Sequence, residues 1–335
     1  MPSKSPGNGA GGAPGFFRRH NVIVYLAFVL TVILFSIFLG QKFLSPMNIL
    51  NITRQTAMIS IMAVGMTFVI GAAQIDLSIG SITAFSALTA SLLIRDTNSI
   101  FLGVAGGIVF GAVIGLINGI LVTWARIPAF LVTLGTMSIV RGGAMWITNN
   151  AAIPIQNKAF NYYFGTGDVH IFSYGEGSEF RLPILLFWTI LFALLGYLLL
   201  NHLPFGRKVL ATGGNVTAAR FTGINTDRIK VKVMLLSGAL AGMAGVLYAG
   251  RMQAGRYTYG TGDEMSVIAA VVLGGTSMAG GTGTIVGSIV GSLLMGVINN
   301  GLVLGGLSVA QQSIVRGAII IIATAIGSRS NQKQS

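Results

Sequence analysis

Cysteine is absent from this 335-residue chain, so it can form no disulfide and no thiolate metal site. Histidine occurs only three times, at widely separated positions, and shows no metal-ligand spacing. No lysine follows a glycine, which excludes the G-K-[ST] loop that holds nucleotide phosphates. The sequence therefore predicts that this chain binds no cofactor and is not an enzyme. If ATP drives this protein, ATP and Mg²⁺ bind to a different chain.

Charge is also scarce. Charged residues make up 9% of the chain, with 8 Asp+Glu against 21 Lys+Arg. Hydrophobic residues make up 53%, and the mean hydropathy is +0.78. Several apolar runs reach the ~20 residues needed to cross a bilayer core. The basic residues are scattered between these runs rather than gathered in one patch, which disfavours nucleic-acid binding and suits an anionic lipid surface. The composition predicts an all-α polytopic membrane protein.

About ten transmembrane helices are expected, with the N- and C-termini in the cytoplasm. Residues 1–20 are predicted to be a disordered cytosolic tail, 21–327 a single transmembrane domain, and 328–335 a second cytosolic tail. The expected spans are 22–40, 52–72, a third that ends near 94, 100–124, a fifth that ends near 148, 183–200, 233–249, 264–274, 284–304 and 309–326.

Two long polar stretches interrupt the apolar runs. Residues 203–232 hold six Lys+Arg and one acid, Asp227, whereas residues 149–182 hold three acids and two basic residues. Short cytoplasmic loops of membrane proteins carry the Lys and Arg. Residues 203–232 are therefore expected to face the cytosol, and residues 149–182 the periplasm.

A short helix is predicted inside the basic stretch. Asn215 can cap its N-terminus, residues 216–221 can form it, and Gly223 can end it in a left-handed conformation. A helix of this size is ~10 Å long and too short to be stable alone, so it must dock on something. Gly213 and Gly214 are expected to give it a flexible entry. The residues predicted to contact a cytosolic partner are Gly213, Gly214, Asn215, Ala218, Ala219, Arg220 and Gly223.

Glycine is abundant, with 47 copies, and it recurs every four residues over 103–119 and 283–291. Such rows let helices approach closely inside a membrane. A four-residue step drifts ~40° around a helix of 3.6 residues per turn. The row at 103–119 is therefore expected to contact more than one neighbouring helix. Similar strings at 115–119 and 296–301 suggest an inverted repeat, as in many transporters.

Five motifs follow one another along the chain. They are AVGMT at 63–67, IDLSIGS at 75–81, GGNVTAA at 213–219 with TGI at 222–224, IAAVVLGGTS at 268–277 and AGGTG at 279–283. In this order and spacing they resemble the membrane (permease) subunit of ribose/xylose/galactose-type sugar ABC importers. One departure is Gln74, where many relatives have glycine.

The resemblance implies a permease in the bacterial inner membrane, present as a homodimer or as one of a pair. It implies two further partners, a cytosolic ABC ATPase and a periplasmic sugar-binding protein. It also implies that the ATPase docks on the segment matched here by residues 213–223, which makes 203–232 a cytosolic coupling loop.

Polar side chains inside the apolar runs are candidates for a substrate pathway. Asp76 is interpreted as the one acid well inside the apolar sequence, where a carboxylate is costly and marks a functional site. The alternative is that Asp76 caps a helix beginning at Leu77. The other polar groups either bridge helices or offer hydrogen bonds to a sugar. The predicted pathway residues are Gln74, Asp76, Ser78, Asn118, Thr133, Thr136 and Asn299.

Several functions remain open from the sequence. An ATP-driven importer of a monosaccharide fits the short helix and the missing phosphate loop. Importers of nucleosides, branched-chain amino acids or an autoinducer sugar share the broad architecture. An ion-coupled secondary transporter would favour paired intramembrane acids, and a channel would need no docking helix.

Overall fold

The computed structural model describes residues 14–173 and 179–332. That part of the chain forms fourteen α-helices, two π-helical turns and four short strands. The α-helices are α1 (Pro14–Leu39), α2 (Gln41–Leu44), α3 (Pro46–Gly71), α4 (Ile79–Thr97), α5 (Ile100–Trp124), α6 (Ala129–Thr148), α7 (Lys158–Asn161), α8 (Ile184–Tyr197), α9 (Pro204–Gly214), α10 (Val216–Phe221), α11 (Thr226–Met252), α12 (Asp263–Leu273), α13 (Ile285–Leu304) and α14 (Val309–Gln332).

The strands form two antiparallel pairs. Strand β1 (Ile153–Pro154) pairs with β4 (Ala254–Gly255), and β2 (Asp168–Ser173) pairs with β3 (Glu179–Pro183). Three of the four strands lie in the polar stretch 149–182. The apolar runs are helical as the all-α prediction expects. The stretch 149–182 contains strands that this prediction did not include.

Within the described residues, six helices are long and apolar enough to cross a membrane by length and composition. They are α3, α5, α6, α11, α13 and α8 together with the π-helical turn Leu198–His202. A shorter apolar helix, Val24–Leu39, lies within α1. The structure is that of a multi-pass protein. The total of ten spans also counts α4, α12 and α14, and it stays a prediction.

Helix ends extend beyond the predicted apolar runs, and the predicted division into tails and a transmembrane domain stays a prediction. Helix α1 begins at Pro14, inside the predicted tail 1–20, of which residues 1–13 lie outside the described part. Helix α14 continues to Gln332, inside the predicted tail 328–335, of which residues 333–335 lie outside it. The basic stretch 203–232 is mostly helical rather than a loop, since it contains α9, α10 and the start of α11.

The centre of the molecule is formed by α3 and α11, whose side chains are mostly buried. Helix α5 packs on both α4 and α11 through its glycine row. Gly103 lies against Ile94 of α4, and Gly111 lies against Gly238 of α11. A Cβ on Gly111 would lie 2.2 Å from the carbonyl oxygen of Gly238, so only glycine allows this approach. The prediction that this row contacts more than one helix is confirmed.

The two polar stretches lie at opposite ends of α3, which is about 39 Å long at 1.5 Å per residue. Near its start, Arg54 binds Asp168 of the stretch 149–182 at 2.6 Å. At its C-terminal end, Gly71 packs against Gly213 of the basic stretch. We name these the outer end and the inner end after the predicted orientation.

Candidate coupling site and polar network

Helix α10 has both of its predicted ends. At the start, Asn215 Oδ1 accepts a hydrogen bond from the backbone N–H of Ala218 at 2.9 Å. At the end, Gly223 has a φ of +83°, and the N–H groups of Gly223 and Ile224 donate to carbonyls of the last turn. This is the Schellman arrangement, which needs a left-handed residue. The sequence prediction of the helix over residues 216–221 is confirmed, and its role stays a prediction.

The two faces of α10 differ in exposure. Ala219 is 4% exposed and fixes the helix to the protein, whereas Ala218 is exposed. Arg220 holds the following turn through hydrogen bonds to Thr226 Oγ1 at 2.9 Å and Asp227 Oδ1 at 3.0 Å. Of the residues predicted to contact the ATPase, Ala219 is buried and Arg220 is hydrogen-bonded within the chain. Ala218 is exposed on the surface.

Phe221 is the residue of this helix that the sequence analysis missed. Its side chain is 87% exposed at the inner end. The signal was present in the sequence, because a large aromatic residue in a short polar helix cannot be buried by that helix itself. A large aromatic side chain exposed on the surface is a natural contact for a protein partner.

The expected flexible entry at Gly213 and Gly214 is wrong. Both residues belong to the last turn of α9, and Gly213 is buried. A Cβ on Gly213 would lie 1.9 Å from the carbonyl oxygen of Gly71, which itself accepts a hydrogen bond from Gly281 N–H at 3.0 Å. These glycines permit close packing of the end of α9 against the end of α3. The segment that leads into α10 is therefore packed rather than flexible, and we call it the base of α10.

Asp76 lies in the break between α3 and α4. Its Oδ1 accepts from the Ser78 N–H at 3.0 Å and the Ser78 hydroxyl at 2.6 Å, and its Oδ2 accepts from the Ser237 hydroxyl of α11 at 2.9 Å. Helix α4 begins at Ile79, so the predicted start at Leu77 is wrong by two residues. Asp76 orders the turn before the helix and also joins that turn to α11.

The hydrogen bonds continue from Ser78 to two further helices. Asn118 of α5 donates to Ser78 Oγ at 3.0 Å, and Thr136 of α6 donates to Asn118 Oδ1 at 2.6 Å. We name Asp76, Ser78, Asn118, Thr136 and Ser237 the Asp76 network. It joins the α3–α4 break to three helices.

The structure thus brings together most of the predicted pathway residues, with Thr133 beside the network and bonded to the Ala129 carbonyl at 2.9 Å. Asp76, Ser78, Asn118 and Thr133 are fully buried. Their part in a substrate pathway stays a prediction. Asn299 lies apart on α13, and Gln74 lines a surface cavity.

This cavity, of about 620 Å³, lies at the inner end between the α3–α4 break, the α5–α6 turn and the start of α11. We name it the inner cavity. Three basic side chains and one acid line it: Arg126, Arg220, Lys230 and Asp227. The remaining lining residues are Ala73, Gln74, Ile75, Val122, Thr123, Ile127, Pro128, Ala129 and Phe130.

A second charged group lies towards the outer end, and the sequence analysis did not assign it. Arg141 of α6 donates to the carbonyl oxygens of Tyr257 and Tyr259, the latter at 2.7 Å. Tyr248 of α11 donates to Asp263 Oδ2 at 2.7 Å. Arg141 lies inside an apolar run, and this was the signal that could have found the group. In residues 14–173 and 179–332, no three His, Asp or Glu side chains are grouped to hold a metal ion.

Comparison with known proteins identifies the family. Residues 48–324 match the family described as the permease component of the branched-chain amino acid transport system. The chain belongs to this permease family. The match covers the α3–α4 break, the inner cavity, α10 and most of α14.

Three relatives are similar to this permease over most of their length. The ribose import permease protein RbsC of Escherichia coli is 38% identical over 297 residues, 88% of this chain and 89% of the relative. Its namesake in Bacillus subtilis is 39% identical over 300 residues, 89% and 90% of the two chains. The L-arabinose ABC transporter permease protein AraH of Azospirillum brasilense is 35% identical over 333 residues, 99% and 94%. No solved structure matches the chain.

These matches confirm the resemblance to ABC importer permeases. The permease is a multi-pass membrane component of a transport system and not an enzyme.

Proposed function

We propose that this permease moves a monosaccharide, a ribose-like pentose or a hexose, across the bacterial inner membrane as the membrane subunit of an ATP-binding-cassette importer. A cytosolic ATPase binds ATP and Mg²⁺, and a periplasmic binding protein delivers the sugar. Support comes from relatives named for ribose and L-arabinose, each matched over about nine tenths of this chain or more. The chain itself has no nucleotide-binding loop.

The observation that carries the proposal is the construction of α10. The helix is capped at both ends, buries Ala219 and presents Ala218 and Phe221 at the inner end. Its base at Gly213 packs against Gly71, the last residue of α3. A force applied to α10 therefore reaches the α3–α4 break without passing through a flexible segment.

A second copy of the permease is the remaining partner of this proposal. Ser138 of α6 and Ser313 of α14 are exposed, and Arg141 and Arg316 are partly exposed on the same two helices. Polar and charged groups are costly against lipid and face protein or water instead. A homodimer that joins these faces around the sugar pathway removes that cost.

Reconstitution into vesicles tests the function. The permease is incorporated with its ATPase and binding protein, and accumulation of ribose, arabinose, xylose and galactose is followed with and without ATP. Adenosine and leucine are included because nucleosides and branched-chain amino acids are the alternatives. We expect ATP-dependent accumulation of a monosaccharide. Uptake against a gradient by the permease alone would contradict the proposal. Uptake of leucine or adenosine instead of sugar would show that the substrate is an amino acid or a nucleoside.

A further inference from the structure

The inner cavity carries positive charge in excess of its partners. Arg220 is paired with Asp227 at 3.0 Å, which leaves Arg126 and Lys230. Within residues 14–173 and 179–332, neither of these two side chains makes an ion pair or a side-chain hydrogen bond. A cavity with two unpaired cations favours an anion.

The surroundings of the cavity place it at the edge of the lipid. Trp124, the last residue of α5, is 83% exposed, and Ile127 and Phe130 are 39% and 49% exposed. Tryptophan is enriched at membrane–water interfaces, and apolar side chains exposed on a transmembrane helix contact acyl chains. The cavity therefore has a cationic interior, which suits the phosphate of a phospholipid, and an apolar rim, which suits its acyl chains.

The backbone at Arg126 adds an independent observation. Arg126 follows the end of α5 with a φ of +55°. Glycine adopts this conformation without strain, whereas a residue with a Cβ pays for it. An arginine at this position nevertheless lines the cavity.

We propose that the inner cavity binds the phosphate group of an anionic phospholipid, with Arg126 and Lys230 as its charge partners. Basic pockets between transmembrane helices on the cytoplasmic side are suited to such headgroups. The phosphate oxygens accept from both side chains, and the acyl chains lie along Trp124 and Phe130. Because Arg220 of α10 lines the same cavity, a bound lipid also lies beside the last turn of α10.

The test uses the tryptophan at the rim as the probe. In the full-length chain, Trp146 and Trp188 are replaced by Phe, which leaves Trp124. The protein is placed in vesicles of phosphatidylcholine in which either phosphatidylglycerol or phosphatidylcholine carries brominated acyl chains. We expect brominated phosphatidylglycerol to quench Trp124 at a mole fraction roughly tenfold lower than brominated phosphatidylcholine.

Two pairs of substitutions distinguish lipid binding in the cavity from attraction by the general surface charge. Arg126→Gly with Lys230→Gln should abolish the preference, and glycine at 126 keeps the left-handed backbone. Arg207→Gln with Lys208→Gln removes the same charge from exposed residues of α9 outside the cavity and should leave the preference unchanged. Arg126→Lys should retain most of it, which shows that charge rather than misfolding is responsible.

Three outcomes would overturn the proposal. The first is an unchanged preference in the cavity pair, and if that pair also loses ATPase binding, the occupant is an acidic protein segment. The second is an equal loss of the preference in the α9 pair. The third is displacement of phosphatidylglycerol by inorganic phosphate at millimolar concentration, which would identify a free-anion site. The quenching measurement uses neither ATPase nor sugar, so its failure is distinct from failure of the transport function.

Discussion

The Asp76 network and the inner cavity both include residues of the α3–α4 break, and they use polar residues in opposite ways. In the network, both oxygens of the Asp76 carboxylate accept hydrogen bonds from serine side chains or backbone, and the side chain is fully buried. In the cavity, Arg126 and Lys230 have no partner in the described part of the chain. Buried polar groups with complete hydrogen bonds hold helices together, whereas open and unpaired ones remain available to a ligand.

Removal of the Asp76 carboxylate should give the largest effect on stability. Asp76→Ala leaves the Ser78 N–H and the Ser78 and Ser237 hydroxyls without their acceptor, and each unsatisfied buried group costs about 1–3 kcal/mol. We expect the free energy of unfolding in detergent to fall by about 3 kcal/mol or more. Asp76→Asn should give a smaller loss, because the amide keeps one acceptor.

Gln74→Ala is the matched control on the same break. The Gln74 amide donates to the neighbouring Ala73 carbonyl at 2.7 Å and is only partly buried. Its removal should change the free energy of unfolding by about 0.5 kcal/mol or less. Equal losses for the two alanine variants would mean that the Asp76 network does not hold these helices together.

Truncation of Phe221 should act on binding and leave stability unchanged. An exposed aromatic anchor at a protein interface is worth about 2 kcal/mol, so Phe221→Ala should weaken ATPase binding about thirtyfold. Phe101→Ala is the control, because Phe101 is 78% exposed at the start of α5, at the outer end. Affinity is measured by titration of the ATPase onto permease in nanodiscs. Full affinity in the Phe221 variant would remove this side chain from the coupling site.

A methyl group at the base of α10 should destabilise the protein less than removal of the Asp76 carboxylate does. Gly213→Ala places a Cβ 1.9 Å from the Gly71 carbonyl oxygen, and overpacking of this kind costs about 1–3 kcal/mol. Gly135→Ala, on α6, meets no atom within 4 Å and should be neutral or stabilising by up to ~1 kcal/mol. The thermal unfolding temperatures of both variants are compared with that of the unsubstituted protein. An unchanged temperature for the Gly213 variant would show that the base of α10 is not tightly packed.

Helix ends that are determined by residues close by in the sequence could be predicted from that sequence. Helix α5 begins and ends at Ile100 and Trp124 as predicted, with Ser99 accepting from Leu102 N–H at its start. Helix α10 was predicted for the same reason, since Asn215 and Gly223 determine its ends within the segment itself. Caps act over three or four residues and can be read from sequence.

Contacts between distant residues could not be predicted in this way. Gly213 was interpreted as flexible because its neighbours in space, Gly71 and Gly281, are remote in sequence. The inner cavity joins Arg126 to Lys230 across about a hundred residues. Hydropathy also marks where the membrane lies rather than where a helix begins, so α11 was predicted from residue 233 although it starts at Thr226.

The most direct test of the coupling site is a crosslink from α10 to the ATPase. The chain has no cysteine, so Ala218→Cys and Ala159→Cys each introduce one thiol, at the exposed inner and outer ends respectively. Each thiol is labelled with a photoreactive group before the ATPase is added, and the assembled transporter is then irradiated. We predict that the ATPase is crosslinked to position 218 and not to position 159. A crosslink from position 159, or none from position 218 in an intact complex, would contradict the account.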